Sequence, residues 1–220
     1  MKRIVLTASV MSIFILGASA QQPPSMTRNV GKTTFGIHAG ANMYNITGKD
    51  GSGTDLSNDL NTGFAAGVNA EIPLGSGSYI QPGIDFRQKG AEWSNGTKTT
   101  LNYVEIPVNF IYKPILGTGN FVLGVGPYLG FGIGGKATSA NGTEQDIEFK
   151  DEFDITLNAV QFRKTDAGAN FLVGYEFANK LSLNLKAQLG LKEINPDMGT
   201  ANDQTSYKNT GFGLALGYRF

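Results

Sequence analysis

The stretch 102–114, NYVEIPVNFIYKP, decides the fold class, because its apolar residues alternate with polar ones. One face of an extended chain carries Val104, Ile106, Val108, Phe110 and Tyr112. The other face carries Tyr103, Glu105, Pro107 and Asn109. A carboxylate buried without a partner is expensive, and proline removes a hydrogen bond from the ladder of a sheet. The stretch is therefore predicted to be a strand with one apolar face and one wet face.

The same period-two alternation recurs along the chain, and no helical stripe of comparable length competes with it. It defines eight segments, at 33–44, 62–73, 78–91, 100–114, 120–134, 164–177, 181–193 and 209–220. The apolar face of these segments carries no charged residue. The opposite face carries a nearly balanced set of charges, namely Glu71, Asp85, Arg87, Lys89, Glu105, Lys113, Asp166, Glu176, Lys186, Lys192 and Arg219.

The connections alternate in length as the strands alternate in polarity. Residues 74–77, 115–119 and 178–180 form short turns, whereas 45–61, 92–99, 135–163 and 194–208 form longer polar loops. Short turns at one end and long loops at the other are typical of a transmembrane barrel, as are strands that are apolar outside and polar inside. The sequence predicts an all-β fold, an eight-stranded antiparallel transmembrane β-barrel with up-and-down meander topology, of the outer-membrane type.

A soluble lipocalin-like barrel with its apolar face inside is the alternative architecture. Three features favour lipid on the outside. The chain ends on an aromatic residue in LALGYRF, and the charged face is rich in glycine, which suits a narrow lumen. Aromatic residues near strand ends also fit interface girdles, and these are Tyr44, Tyr79, Trp93, Tyr112, Tyr175 and Tyr218.

The N-terminus has the composition of a cleavable secretory signal over residues 1–20. Lys2 and Arg3 are basic, Ile4 to Leu16 are mostly apolar, and Ala18-Ser19-Ala20 fits a cleavage site. Residues 21–31 are expected to be a flexible lead-in, and 32–220 the barrel domain. Removing the signal leaves 16 basic and 18 acidic residues, a net charge of about −2. The absence of a basic block argues against nucleic-acid binding, and the absence of cysteine rules out disulfides.

Four stretches carry a family resemblance: GIDFRQKGAE, LNYVEIPVNFIYKP, RKTDAGANFLVGYEF and the terminal GFGLALGYRF. Over residues 33 to 220 the chain resembles the PorT-like outer-membrane β-barrel domain family, and KG…YVEIPV is the most specific part of the likeness. The resemblance implies an eight-stranded barrel in the outer membrane of a Gram-negative-type envelope. It also implies insertion by the barrel-assembly machinery, with Tyr218 and Phe220 as the C-terminal assembly signal. It implies no substrate.

An eight-stranded barrel is narrow, so its interior is filled by side chains and its inward charges are expected to pair with one another. A loop centred near residue 96 would place Arg87 beside Glu105, Lys89 beside Tyr103, and Asp85 beside Pro107. The prolines Pro82, Pro107 and Pro127 fall in neighbouring strands, which suggests a local bulge. The charges are interpreted as a structural plug, with a weak ion path or a small-solute site as the alternative.

No catalytic, cofactor or metal site is predicted. A hydrolase or acyltransferase needs a base such as histidine near its nucleophile, and His38 is the single histidine, with Ser52 and Ser57 the nearest serines in sequence. Neither HExxH nor GxSxG nor a P-loop occurs. Asp50, Asp55 and Asp59 are spaced too loosely for a calcium loop. The two sequons, at Asn95 and Asn141, are interpreted as turn chemistry.

The long loop 135–163 contains an acidic patch, formed by Glu144, Asp146, Glu148, Asp151, Glu152 and Asp154. It is expected to be a solvated loop, with partial alternation that extends the flanking strands, or else a surface for an external ligand or protein. The function expected is that of an integral outer-membrane barrel, in contact with membrane lipid, with a structural, passive porin-like or binding role and no catalysis. The alternatives are a component of an envelope secretion system and a lipid-modifying outer-membrane enzyme.

Overall fold

A computed structural model describes residues 31–157, 159–199 and 203–220 of the chain. The predicted signal peptide and all but the last residue of the predicted lead-in lie outside these residues. Within them, the structure contains no helix long and apolar enough to cross a membrane.

The described residues form eleven strands, and eight of them correspond to the predicted segments. The eight are β1 (Thr34–Lys49), β2 (Asp59–Gly75), β3 (Ser78–Glu92), β4 (Lys98–Tyr112), β6 (Gly119–Thr138), β9 (Thr165–Glu176), β10 (Leu181–Gly190) and β11 (Ser206–Arg219). The other three are short: β5 (Ile115–Leu116), β7 (Glu144–Phe149) and β8 (Val160–Phe162). Several long strands, β1 and β6 above all, extend beyond the predicted bounds on the side of the long loops.

The eight long strands close into an antiparallel barrel in which every neighbour is also next in the sequence of long strands. β4 pairs with β6 across the intervening short β5, and β1 pairs with β11 to complete the ring. This is the predicted up-and-down meander. Closure leaves no free sheet edge between the long strands, so their backbone groups can be paired within the protein, as a lipid environment requires.

The alternation of the sequence becomes an alternation of burial, with the apolar residues outside. Phe35, Val68, Ile84, Leu185 and Leu214 are among the apolar side chains exposed on the outer surface. Charged residues such as Glu105, Lys89 and Asp166 are completely buried inside. The barrel is thus an inverted protein, apolar outside and charged inside, which excludes the lipocalin-like alternative.

The predicted aromatic girdle is wrong for three of its six members. Tyr44 is buried in the barrel interior, Tyr79 packs against buried apolar residues inside, and Trp93 packs against the apolar cluster at the end with the long loops. Their position near strand ends suggested an interface, but the alternation of side chains along β1 and β3 directs the two tyrosines inward, and Trp93 lies just beyond the end of β3. Tyr112 and Tyr218 are exposed on the outer surface, as predicted.

The turns define two ends of the barrel, which we call the turn end and the loop end. At the turn end, Gly75 and Gly77 have φ values of 103° and 75°, a left-handed backbone that glycine adopts easily. Ser76 between them has a φ value of 53°. At the loop end, the backbone N–H groups of Thr97 and Thr143 donate to Oδ1 of Asn95 and Asn141 respectively, each at 3.0 Å. The interpretation of both sequons as turn chemistry is confirmed.

The predicted register between β3 and β4 is wrong by two residues. Asp85 pairs with Glu105, Arg87 with Tyr103, and Lys89 with Leu101. The connecting loop is tighter than assumed, because Glu92 already pairs with Lys98 and Trp93 N donates to Thr97 O at 2.8 Å. Moving the centre of the loop by one residue shifts the pairing by two, which preserves the inward and outward faces.

The prolines produce no bulge, which contradicts the suggestion from the sequence. The register between β3 and β4 is the same on both sides of Pro82 and Pro107, and that between β6 and β9 is continuous through Pro127. The register shift of β4 against β6 lies instead between Asn102 and Tyr103. The missing N–H groups therefore interrupt the ladder locally without displacing the strands.

Reversing the polarity of the outer face tests this architecture. Leu185→Arg, at the middle of β10, should lower the free energy of unfolding in lipid vesicles by about 2–4 kcal/mol, because the cation would face hydrocarbon. Leu191→Arg, just beyond β10 at the loop end, should cost about 0–1 kcal/mol. Urea unfolding of both variants measures the difference. Equal effects would contradict the placement of the bilayer around β10.

Candidate functional site in the barrel interior

Lys89 lies at the centre of the interior, where it is removed from water by other side chains. Its Nζ is 2.5 Å from Glu105 Oε1 and 2.9 Å from Asp166 Oδ2. The rings of Tyr44, Tyr103 and Tyr128 surround the same ammonium, with centroids 5.3, 5.4 and 4.2 Å away. Two carboxylates and three aromatic faces stabilise the cation, and four other strands contribute them.

The two carboxylates beside Lys89 are themselves held by further hydrogen bonds. Glu105 accepts from Arg87 Nε at 3.0 Å and from Gln188 Nε2 at 2.9 Å. Asp166 accepts from Asn209 Nδ2 at 3.0 Å and from the Tyr128 hydroxyl at 3.3 Å. Arg87 also donates to Asp85 Oδ2 at 2.9 Å. We call Lys89 with these partners the central ion cluster.

A second group of charges fills the interior nearer the turn end. Lys113 Nζ is 2.7 Å from carboxylate oxygens of both Glu71 and Glu176. Arg219 Nη2 is 2.7 Å from Glu71 Oε1, and Arg219 Nε is 3.5 Å from Glu176. Gln81 Nε2 donates to Glu71 at 3.0 Å. Two cations and two anions therefore neutralise each other at this level of the barrel.

His38 and Lys186 lie between these two groups. His38 Nε2 is 3.3 Å from Asp85 Oδ1 and 2.9 Å from Lys186 Nζ. His38 Nδ1 is 3.4 Å from Asn69 Nδ2. The structure also brings Ser182 into the cavity that His38 lines, which the sequence did not indicate. Ser182 Oγ accepts a bond from Asn184, and neither ring nitrogen of His38 is directed at it.

An apolar cluster closes the interior at the loop end. Its buried members are Ile46, Ala91, Leu101, Tyr103, Ala137, Ile147, Phe162 and Ile194. Strand β7 pairs with the end of β6, β8 pairs with β7 in parallel, and both turn apolar side chains toward the barrel axis. Phe149 occupies space that Gly132 provides, because a Cβ at Gly132 would lie 2.3 Å from the Phe149 ring. We call this cluster the apolar cap.

The apolar cap corrects the expectation that loop 135–163 is simply solvated. Only part of the loop behaves so: Ile155 is 86 % exposed and Phe153 is also exposed, whereas Ile147 and Phe162 are buried. The predicted extension of the flanking strands is confirmed for β6, which continues to Thr138 and forms a hairpin with β7. The alternation of inward and outward side chains along the strands cannot predict the apolar cap, because a loop can return to the barrel axis from any direction.

Little space remains inside the barrel. Two interior cavities have volumes of about 30 Å³ and about 20 Å³. Roughly 10–15 Å³ of such volume holds one water molecule, so each cavity accommodates one or two water-sized species. The central ion cluster and the apolar cap together leave no wide passage through the described part of the barrel.

The structure places all the predicted inward charges in these ion pairs except Lys192. Lys192 follows the end of β10, is exposed, and donates to Thr165 Oγ1 at the loop end. Sequence reasoning places Gln188 on the inward face but misses three other uncharged partners of the clusters, namely Tyr44, Tyr128 and Asn209. The alternation along their strands already predicts that these residues face inward, but an argument restricted to charged residues omits them. Tyr218 and Phe220 lie outside, with ring centroids 5.3 Å apart, and their role in assembly stays a prediction.

Short side-chain–backbone turns stabilise the exposed loops. Asp50 Oδ1 accepts from Ser52 Oγ at 2.7 Å and from Thr54 N at 2.9 Å, and these bonds hold the pKa of Asp50 below its usual value. Asp154 and Asp203 use Thr156 and Thr205 in the same way, and the pKa of each carboxyl is lowered. These aspartates stabilise the turns of the loops in which they lie.

A closed barrel with an apolar exterior and an ion-paired interior defines an integral membrane protein of the outer-membrane type. The chain belongs to the outer membrane protein beta-barrel domain family, whose model matches residues 19–195. In such barrels the short turns face the periplasm and the long loops face outside. The turn end is therefore periplasmic and the loop end external.

Several solved structures are similar to this chain. The attachment invasion locus protein Ail of Yersinia pestis has 13% identity and a TM-score of 0.44 over 86% of this chain and 100% of its own. Neisserial surface protein A has 12% identity and a TM-score of 0.48 over the same shares. A major outer membrane protein from Thermus thermophilus has 16% identity and a TM-score of 0.48, again over 86% and 100%. No curated protein matches the sequence.

Removing the central cation tests the role of the central ion cluster. Lys89→Met should lower the free energy of unfolding by about 3–5 kcal/mol, since it leaves buried carboxylates without their ammonium. Lys192→Met removes an exposed lysine at the loop end and should change stability by about 0.5 kcal/mol or less. Urea unfolding in vesicles provides the comparison.

A double variant separates lost charge pairing from lost packing. Adding Asp166→Asn to Lys89→Met should recover part of the stability, because one uncompensated carboxylate disappears while Glu105 keeps Arg87. If the double variant were no more stable than Lys89→Met alone, pairing of Lys89 with Asp166 would not be the source of the effect.

Proposed function

We propose that the protein is a non-conducting and non-catalytic outer-membrane barrel, which serves as a rigid anchor and presents its external loops to a ligand or partner protein. The observation that carries the proposal is the double closure of the interior. Ion pairs fill the membrane-spanning part, and the apolar cap covers the external mouth. A passive porin-like role would need a path, and the interior cavities have room for water-sized species only.

The external surface around β7 supports the binding part of the proposal. Ile147 on one face of β7 is buried in the apolar cap, while Glu144, Asp146 and Glu148 on the other face are exposed. Pairing with β6 fixes the strand, with Lys136 opposite Asp146. The acidic side chains are therefore held on a strand and not on a mobile loop, which lowers the entropy cost of binding a partner.

Apolar side chains lie next to this acidic face. Residues 150–155 line a shallow external concavity of about 500 Å³, and Ile155 and Phe153 in that segment are exposed. Exposed apolar residues beside charged ones are common where proteins bind partners. A partner with basic and apolar side chains would suit this surface.

The environment of His38 argues for the absence of catalysis. Its Nε2 faces Asp85 and Lys186 and its Nδ1 faces Asn69, so no hydroxyl nucleophile of the described residues is bonded to the imidazole. The adjoining cavity of about 30 Å³ is too small for an acyl or phosphoester substrate. A lipid-modifying enzyme remains an alternative that would need a site elsewhere.

A role in a secretion system is the second alternative, and it rests on the resemblance to the PorT-like family alone. It is compatible with the same external surface, since a barrel that does not conduct can still anchor other components of the envelope. The identity of any co-purifying protein would distinguish this role from binding of an external ligand.

Conductance measurements test the closed interior. Purified protein in planar bilayers should give no stable current steps, and neither should Phe149→Ala, because the central ion cluster still blocks the lumen beneath the apolar cap. A porin inserted under the same conditions provides the positive control. Reproducible steps from the wild-type barrel would overturn the non-conducting role.

Co-purification tests the binding surface. Wild-type protein, a β7 variant (Glu144→Gln, Asp146→Asn, Glu148→Gln) and a control variant (Asp55→Asn, Asp59→Asn) would be isolated from native membranes under mild detergent and compared by quantitative mass spectrometry. The control removes two exposed acids from the connection between β1 and β2 and from the first residue of β2. We expect at least one protein to be depleted about tenfold with the β7 variant alone. Identical profiles for all three would contradict a partner at β7.

A further inference from the structure

Lys186 differs from the other cations inside the barrel. Arg87, Lys89, Lys113 and Arg219 each have a carboxylate oxygen within 2.9 Å. The nearest carboxylate oxygen recorded for Lys186 among the described residues is Asp85 Oδ2, at 3.9 Å. Asp85 is moreover shared, since Arg87 and His38 lie closer to it. The other polar neighbour of Lys186, His38 Nε2 at 2.9 Å, supplies no negative charge, so Lys186 is the interior cation with the weakest compensation for its lost hydration.

The side chain of Lys186 lines both interior cavities. The cavity nearer the periplasm is about 30 Å³ and is lined by three cationic side chains, Lys113, Lys186 and Arg219, against two anionic ones, Glu71 and Glu176. Its charged lining thus has an excess of one positive charge. Asp85 borders the second cavity, beyond Lys186.

Other hydrogen-bond donors line the same periplasmic-side cavity. Ser182 Oγ accepts from Asn184 Nδ2 at 3.0 Å, so its own O–H group can donate to a ligand. Arg219 Nη1 is buried and has no hydrogen-bond partner within the described protein. Donors that line a small cavity with excess positive charge suit an anion, because a bound anion gives each donor a partner that burial removed.

The size of the cavity restricts the anion. A volume of about 30 Å³ corresponds to one or two water-sized species, which excludes sulfate, phosphate, nucleotides and sugars. The side chain of Lys186 is 21% exposed although it lies inside the barrel. This free surface borders the interior cavities, so a small solute in a cavity could contact the side chain of Lys186.

We propose that this cavity binds one small monovalent anion of the size of chloride, with the ammonium of Lys186 as its principal contact and the Ser182 hydroxyl and the Arg219 guanidinium as further donors. The bound anion compensates Lys186 and completes the chain of alternating charges between the periplasmic mouth and the central ion cluster. The site does not depend on the external surface at β7.

Bromide provides the probe, because it replaces chloride and scatters anomalously. Crystals of the wild-type barrel, Lys186→Met and Lys192→Met would be soaked in sodium bromide and measured at the bromine absorption edge. We expect a peak beside Lys186 Nζ in wild type and in Lys192→Met, and its loss in Lys186→Met. Absence of the peak from wild type, or its persistence in Lys186→Met, would overturn the proposal.

Thermal unfolding in solution distinguishes a resident anion from an ion forced in by the soak. The fluorescence of the single tryptophan, Trp93, would follow unfolding in sodium chloride and in sodium gluconate at equal ionic strength. A ligand that binds the folded state raises the midpoint, so chloride should raise it in wild type and Lys192→Met and have no effect in Lys186→Met. A bromide peak without a chloride-dependent midpoint would show binding at crystal concentration only and would also overturn the proposal.

Discussion

A charged side chain that is buried away from water needs partners that compensate its charge. In this barrel the buried cation on which the other contacts depend is Lys89. Glu105, Asp166 and three tyrosine rings are its partners, and they come from β1, β4, β6 and β9. These side chains converge only if the sheet closes with its polar face inside. The apolar exterior and the paired interior are thus two results of one constraint, because a closed barrel in lipid can place charge only along its axis.

The interior is closed by two layers of different chemistry. The central ion cluster is rigid because each charged group has several fixed partners, whereas the apolar cap is held by packing of Ile147, Phe162 and Ile194 against the strand ends. The ion pairs determine which side chains face one another, and the cap keeps external water from them. Lower local polarity strengthens the electrostatic attraction within the cluster.

The sequence predicts the features that follow from the alternation of side chains along each strand. It does not predict the features that depend on which strands and loops meet in three dimensions. Alternation around Glu105 identifies eight strands, their order and the inward charges. It cannot fix the β3–β4 register, since a loop centred on residue 95 or 96 preserves both faces while shifting the partners of Arg87 by two. The place of Tyr44 near a strand end predicts an interface position, although its parity directs it inward. The apolar cap depends on the return path of a loop, and no local pattern encodes that path.

The pairing of charges within one hairpin has a consequence for how the chain enters the membrane. Asp85 and Arg87 on β3 and Glu105 on β4 contact one another within a hairpin of short sequence separation, and Lys89 reaches Glu105 in the same hairpin. Two acids and two bases can therefore neutralise one another within this hairpin, without a contribution from a distant strand. The hairpin can cross the bilayer boundary as an electrically balanced unit, and Asp166, 77 residues beyond Lys89, is added only as the ring closes.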